Sequence, residues 1–123
     1  MRMLSTSIHG IADYAVGLVV LLLPYFYDMH GTPKTILLLL GGSALVYSLL
    51  TDYEFGLLRI IPFRSHLGLD MLFAALMIAA SMLVSFPQSS RVVVASLGVL
   101  AILVVVLTRR VRADQGRPIN TRT

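Results

Sequence analysis

The sequence predicts an all-α, polytopic membrane protein: four transmembrane helices arranged as two parallel helical-hairpin repeats. Three observations predict it. The 123 residues are 57% hydrophobic and only 13% charged, with a mean hydropathy of +0.85, where a soluble domain carries about a quarter charged residues. Four apolar runs approach the roughly 17–25 residues needed to cross a bilayer. The chain also matches itself at an offset of 57 residues, which lays His9 on His66 and Asp13 on Asp70.

The four spans are read at about Ile8–Tyr27, Thr35–Leu50, Ser65–Phe86 and Val92–Thr108. The first follows Arg2 as a signal peptide would, but His9 and Asp13 interrupt it and no small-x-small cleavage site follows LLLPYFYDM, so it reads as a retained helix. The second is short and gains a turn through Pro33 and Lys34, because proline is accommodated in a first helical turn. The third opens at SHLGLDM and carries no charge from Met71 until Arg91. DMHGTP and FPQSS supply the turn residues that break spans one from two and three from four.

These spans divide a single domain. Repeat 1 covers about 7–51, an interfacial linker about 52–63, repeat 2 about 64–108 and a basic tail 109–123. With four spans, Arg2, Arg59, Arg64, Arg109, Arg110, Arg112, Arg117 and Arg122 share one side, and Lys34 and Arg91 the other. Basic residues accumulate on the cytoplasmic side, which places both termini there, in a multi-pass protein of the cell inner (plasma) membrane. Tyr25, Phe26 and Tyr27 then fall at the outer interface. The linker TDYEFGLLRIIPF mixes large apolar residues with Asp52, Glu54 and Arg59, which predicts a short amphipathic segment along the interface, with Arg59 and Arg64 pairing to Asp52 and Glu54. The tail reads as a stop-transfer anchor with a polar end, and as a candidate for binding anionic lipid or a partner.

Beyond the two His/Asp pairs, the 57-residue offset aligns Lys34 with Arg91, Gly41 with Gly98, Leu45 with Ile102 and Thr51 with Thr108. Two hairpins of the same direction are related by a pseudo-twofold axis along the membrane normal. Small residues mark where helices approach, and Gly17, Gly41, Gly42, Ala75, Ala79 and Gly98 are the helix-packing candidates.

The chemistry-bearing residues are few. No cysteine is present, which excludes disulfides and thiol or thiolate sites. No G-x-S-x-G, P-loop, H-E-x-x-H or dinucleotide fingerprint occurs, so no catalytic residue is assigned and an enzyme is the least supported class. The net charge of +4 is accounted for by membrane topology and does not call for nucleic acid. His30 reads as a loop residue.

His9 and Asp13, and His66 and Asp70, each stand at i and i+4, one turn apart on one helical face. Ionisable groups at that depth should face the bundle interior or a wet cavity. Three readings follow. Each carboxylate could meet its own histidine and fix helix depth, with Ser5, Thr6, Ser7 and Ser65 capping the helix starts. The two pairs could converge into a first shell for zinc or iron, or the two histidines could act as axial haem ligands. They could form a proton-handling or small-ligand site. The sequence names no cofactor.

The pattern H-x-x-x-D-x-x-x-small, followed by an apolar stretch and a proline–aromatic pair, resembles the SPW-repeat family of small bacterial membrane proteins. His9, Asp13, Gly17, Pro24 and Tyr25 carry it in the first half, and His66, Asp70, Ala74 and Ser81 in the second. Leu23, Pro24 and Tyr25 stand where the first Ser-Pro-Trp would be, Ser81, Met82 and Leu83 near the second, and the chain has no tryptophan. The resemblance implies a four-helix integral membrane protein of two repeats and brings no mechanism with it.

The expected function is a structural or accessory subunit, in a homo-oligomer or a larger membrane complex. The alternative is a ligand-, metal-, haem- or proton-handling module built on His9, Asp13, His66 and Asp70. The first expects each polar residue to be satisfied apart from any shared cavity. The second expects all four in one coordination sphere, an arrangement made easy only where spans one and three touch.

Overall fold

The computed structural model describes residues 6–51 and 56–115. Arg2, Ser5, the 52–55 stretch with its expected ion pairs and the tail beyond Gln115 lie outside the described residues, as do the side chains of Thr6 and of 109–115. The described residues form four helices: α1 Thr6–Phe26, α2 Thr32–Leu49, α3 Phe63–Leu83 and α4 Gln88–Gln115. All four are long and apolar enough to cross a membrane, and among the described residues there is no strand. The polytopic all-α reading is therefore the observed architecture.

The boundaries move in instructive ways. The third span ends at Leu83, and α4 begins at Gln88, so Ser85, Phe86 and Pro87 form the turn that FPQSS announces. Ser90 Oγ and the Arg91 amide both bond the Pro87 carbonyl, which closes the first turn of α4. Helix α4 continues past Thr108 to Gln115, into the stretch read as tail. α3 starts at Phe63 with Pro62 at its N-cap and no side-chain cap, so Ser65 is an exposed residue inside the first turn and not the capping oxygen expected of it.

Each hairpin is closed by a local device. Asp28 and Gly31 adopt positive φ in the turn after α1 (51° and 68°), and the ψ of −140° at Gly31 belongs to a region open only to glycine. Lys34 then places its ammonium 5.0 Å from the Tyr25 ring centroid. Its repeat partner Arg91 donates from Nη1 to the Ser81 carbonyl at 2.7 Å. Both cations thus hold the last turn of the preceding helix, where carbonyls lack helical partners.

The connection between repeats works similarly. The amides of Leu57 and Leu58 donate to Leu49 O, and those of Ile60 and Ile61 to Leu50 O, at 2.6–3.1 Å. Thr51 and Ile61 form a short parallel bridge. The carbonyls at the end of α2 are therefore satisfied by the returning chain, while Leu57, Leu58 and Ile60 point outward.

Helix α1 packs against α2 and α3 against α4; the hairpins meet through α1 with α4 and α2 with α3. α1 and α3 thus lie across the bundle diagonal. The 57-residue offset carries Thr6–Phe26 onto Phe63–Leu83 end to end, and it also carries the helix contacts. A Cβ on Gly41 would lie 2.7 Å from Leu21 N and 2.9 Å from Gly17 O. One on Gly98 would lie 2.8 Å from Ile78 Cγ1 and 3.1 Å from Ala74 O. Gly17 and Leu21 correspond to Ala74 and Ile78, so both hairpins close at one repeated contact.

The other small residues sit elsewhere. Gly42 faces open space and Ala75 is exposed, because the buried face of α3 follows His66, Asp70, Phe73, Ala74, Met77 and Ala80 at helical period. Ala79 is half-buried, and Ala74 takes the packing position expected of Ala75.

A substitution series tests this contact. Gly41→Ala, which meets backbone, should cost about 1–3 kcal/mol as overpacking does; Gly98→Ala, where Ile78 can yield in part, should cost less; and Gly42→Ala should be neutral or slightly stabilising. Denaturant unfolding of the detergent-solubilised protein, followed by circular dichroism, gives the order.

Candidate metal centre

His9 lies three residues into α1 and Asp13 one turn further; His66 and Asp70 repeat this in α3. At a rise of about 1.5 Å per residue these side chains leave their helices roughly 5–10 Å from the ends. Both histidines are fully buried, and the Asp13 and Asp70 side chains keep 10% and 7% of their exposure. Such groups are sustainable in an apolar bundle only where they satisfy each other.

They do so across the repeats. His9 Nε2 lies 2.7 Å from Asp70 Oδ2, and His66 Nε2 lies 2.6 Å from Asp13 Oδ2. The partners one turn away on the same helix are more distant, at 3.2 Å for His9–Asp13 and 3.0 Å for His66–Asp70. The i, i+4 spacing places each pair on one face, yet the shorter bond always goes to the other hairpin. α1 and α3 need not touch for this: two long side chains from each reach across the diagonal. The four ligand atoms all lie within 4.8 Å of one another.

The outward edge of each imidazole is also held. His66 Nδ1 lies 2.6 Å from Thr51 Oγ1, and Thr51 Oγ1 donates its one proton to Tyr47 O at 2.6 Å. The hydroxyl can therefore only accept from the ring, so Nδ1 is the donor and Nε2 is the edge turned to the cluster. His9 Nδ1 meets Thr108 Oγ1 at 2.9 Å, the same contact in the other repeat. Thr51 and Thr108 align in the sequence, but their spacing from the histidines gives no local sign of this role.

Two further residues escape sequence reading. Tyr47 donates its hydroxyl to Asp70 Oδ1 at 2.6 Å. Phe63 stacks on His66 at 5.8 Å between centroids and 12° between planes, and presents an edge to His9 at 5.4 Å. Phe63 packs with Leu67 and Val105 into a small apolar cluster over the histidines. Tyr47 could have been found as an aromatic one helical turn before Thr51, a residue already aligned by the repeat. Phe63 carries no such signal.

A cavity of about 20 Å³ adjoins the carboxylates, lined by Asp13 and Asp70 together with Val16, Phe73, Ala44, Ala101, Tyr47, Val104 and Ala12. Eight of these nine are four repeat pairs, so the cavity lies on the pseudo-twofold axis. His30, by contrast, is exposed and sits 3.4 Å from Asp28, in the outer turn.

Comparison with protein families, with curated proteins and with solved structures returned no match to the chain.

The cluster makes a double-mutant cycle informative. His66→Ala or Asp13→Ala alone leaves a charged partner buried and should cost about 3–5 kcal/mol. Removing both should cost less than the sum, with a coupling of roughly 1–3 kcal/mol. Equal coupling for His9 with Asp70, and weaker coupling for His9 with Asp13, is the result expected from the distances, read in the same unfolding assay.

Proposed function

We propose that the chain is a small integral membrane protein whose working part is a mononuclear metal centre, formed by His9, Asp13, His66 and Asp70 just inside the cytoplasmic face. The observation that carries this reading is the placement of two imidazole Nε2 and two carboxylate Oδ2 atoms within one 4.8 Å sphere. Tetrahedral coordination at ordinary metal–nitrogen and metal–oxygen lengths separates neighbouring ligands by about 3.3–3.5 Å. The 2.6–3.2 Å separations between nitrogen and oxygen here are short of that by less than an ångström. Small rotations of the side chains suffice to admit an ion.

Charge and outer contacts support the same reading. Two carboxylates neutralise a divalent cation, so the filled centre would carry no net charge into the bilayer. The Nδ1–hydroxyl contacts to Thr51 and Thr108 are of the kind that orient histidine ligands in metal sites. Mixed imidazole and carboxylate donors suit zinc, iron or manganese in the divalent state. Haem fits poorly. Axial histidines must face each other across a flat macrocycle, whereas these rings lie 5.5 Å apart with both carboxylates drawn between them.

The accessory reading keeps one support: the cross-repeat bonds tie the hairpins together and would serve a packing subunit equally. It expects the polar residues to be satisfied separately, however, and they share a single cluster. An orientation with both termini cytoplasmic in the bacterial inner membrane, and assembly with further copies or a larger complex, complete the proposal.

Metal analysis of protein purified in mild detergent and loaded with zinc or iron(II) tests it. One ion per chain is expected, with loss in His9→Ala and His66→Ala and a 10–100-fold weaker affinity in Thr51→Val and Thr108→Val, the usual cost of removing an orienting partner. A folded wild-type chain that takes up neither ion overturns the proposal.

A further inference from the structure

Resting on the metal reading above, we infer that the centre keeps one coordination position open toward the axial cavity, for an uncharged ligand of one or two heavy atoms. The geometry is one-sided. Phe63 covers the imidazoles, and Thr51 and Thr108 hold their outer edges. Neither histidine lines the cavity, whereas Asp13, Asp70 and Tyr47 do. A metal held by the four side chains therefore has protein packed on its histidine side and space on its carboxylate side.

The space has a definite size and character. About 20 Å³ exceeds the roughly 10–15 Å³ that one water requires. Two carboxylates and one hydroxyl give such a molecule its polar partners, and the remaining walls are Ala, Val and Phe side chains. A charged ligand would lose its hydration there without repayment, whereas a neutral one would not.

At the wall of the cavity the repeats differ in a chemically directed manner. Asp13 matches Asp70, Ala44 matches Ala101, and Val16 and Phe73 are both apolar, but Tyr47 matches Val104. Holding an ion between two symmetric pairs needs no tyrosine. A hydroxyl that donates to Asp70 Oδ1 at 2.6 Å, at the wall of the cavity, holds that carboxylate in place beside the open position and leaves its own oxygen as an acceptor there. Tyr47 is a positioning residue in this account.

Nitric oxide, a neutral diatomic, is the probe. The full chain in detergent is loaded with iron(II) under anaerobic conditions, its iron content is measured, and the half-integer-spin nitrosyl signal is recorded by electron paramagnetic resonance. Wild type should give a signal matching its iron. Val16→Phe, which copies the residue of the other repeat, and Ala101→Leu should keep the iron while weakening nitrosyl formation at least about tenfold, the equivalent of the 1–3 kcal/mol of an overfilled site. Whichever of the two folds suffices. Tyr47→Phe should keep iron and nitrosyl and shift the N–O stretching frequency, because Asp70 loses its hydrogen bond and becomes a stronger electron donor to the iron. An iron-loaded wild type without a nitrosyl signal, or cavity-filling variants that respond as wild type does, overturns the open position and leaves the metal reading standing. A chain that takes up no iron or other metal overturns both.

Discussion

The bundle depends on a rule of low-dielectric media: a buried ionisable group must have its partners within reach, because no water will supply them. His9, Asp13, His66 and Asp70 satisfy it collectively. Each imidazole lies within 3.2 Å of two carboxylates, one on its own helix and one on the other hairpin, and the nearer is on the other hairpin. In lipid the apolar faces of helices have little reason to prefer each other over acyl chains. The polar cluster thus supplies what the apolar surfaces lack, a reason for the hairpins to pair at one depth and in one register.

The remaining architecture prepares that meeting. Gly41 against Gly17 and Gly98 against Ala74 bring the two helices of each hairpin to close range. That approach lets Tyr47 of α2 reach Asp70, and Thr51 just past the end of α2 and Thr108 of α4 reach the histidines of α3 and α1. Lys34 and Arg91 bind the far ends of the same helix pairs. Depth is thereby set at both ends of each hairpin, and the diagonal α1–α3 encounter needs only side-chain reach.

Much of this is legible in the sequence because a duplication writes each constraint twice. A lone histidine in an apolar helix is ambiguous; His9 and Asp13 matched by His66 and Asp70, in step with Gly41/Gly98, locate a shared face and the hairpin contact, while Thr51/Thr108 align without showing that they meet the imidazoles. What does not carry through is relational. Periodicity puts His9 and Asp13 on one face but cannot say that Asp70 is the nearer partner, since that depends on how the hairpins cross. It likewise chooses poorly between Ala74 and Ala75, which differ by about 100° around α3 and hence by whether they face α4 or lipid. Helix α4 outruns its apolar span, which ends at Thr108, because the polarity of RRVRADQ marks departure from the bilayer, which is separate from the end of the helix.

The same duplication gives the exceptions their meaning. Where both halves keep a residue type, the requirement is symmetric: two imidazoles, two carboxylates and two hydroxyls are the set that the proposed central cation would need. Where the halves diverge next to the cluster, the requirement is directional. Phe63, at the start of α3, corresponds to Thr6, and Tyr47, on α2, to Val104, so the second hairpin supplies the aromatic cover over the histidines and the first the hydroxyl beside the carboxylates. Packing alone would be served by apolar residues in either half, and binding alone by the symmetric set. A covered side and a side with room and polar groups are what distinguish a centre that can exchange a ligand from one that only holds its ion. The departures from the repeat, more than the repeat itself, are therefore the part of this chain that points to chemistry.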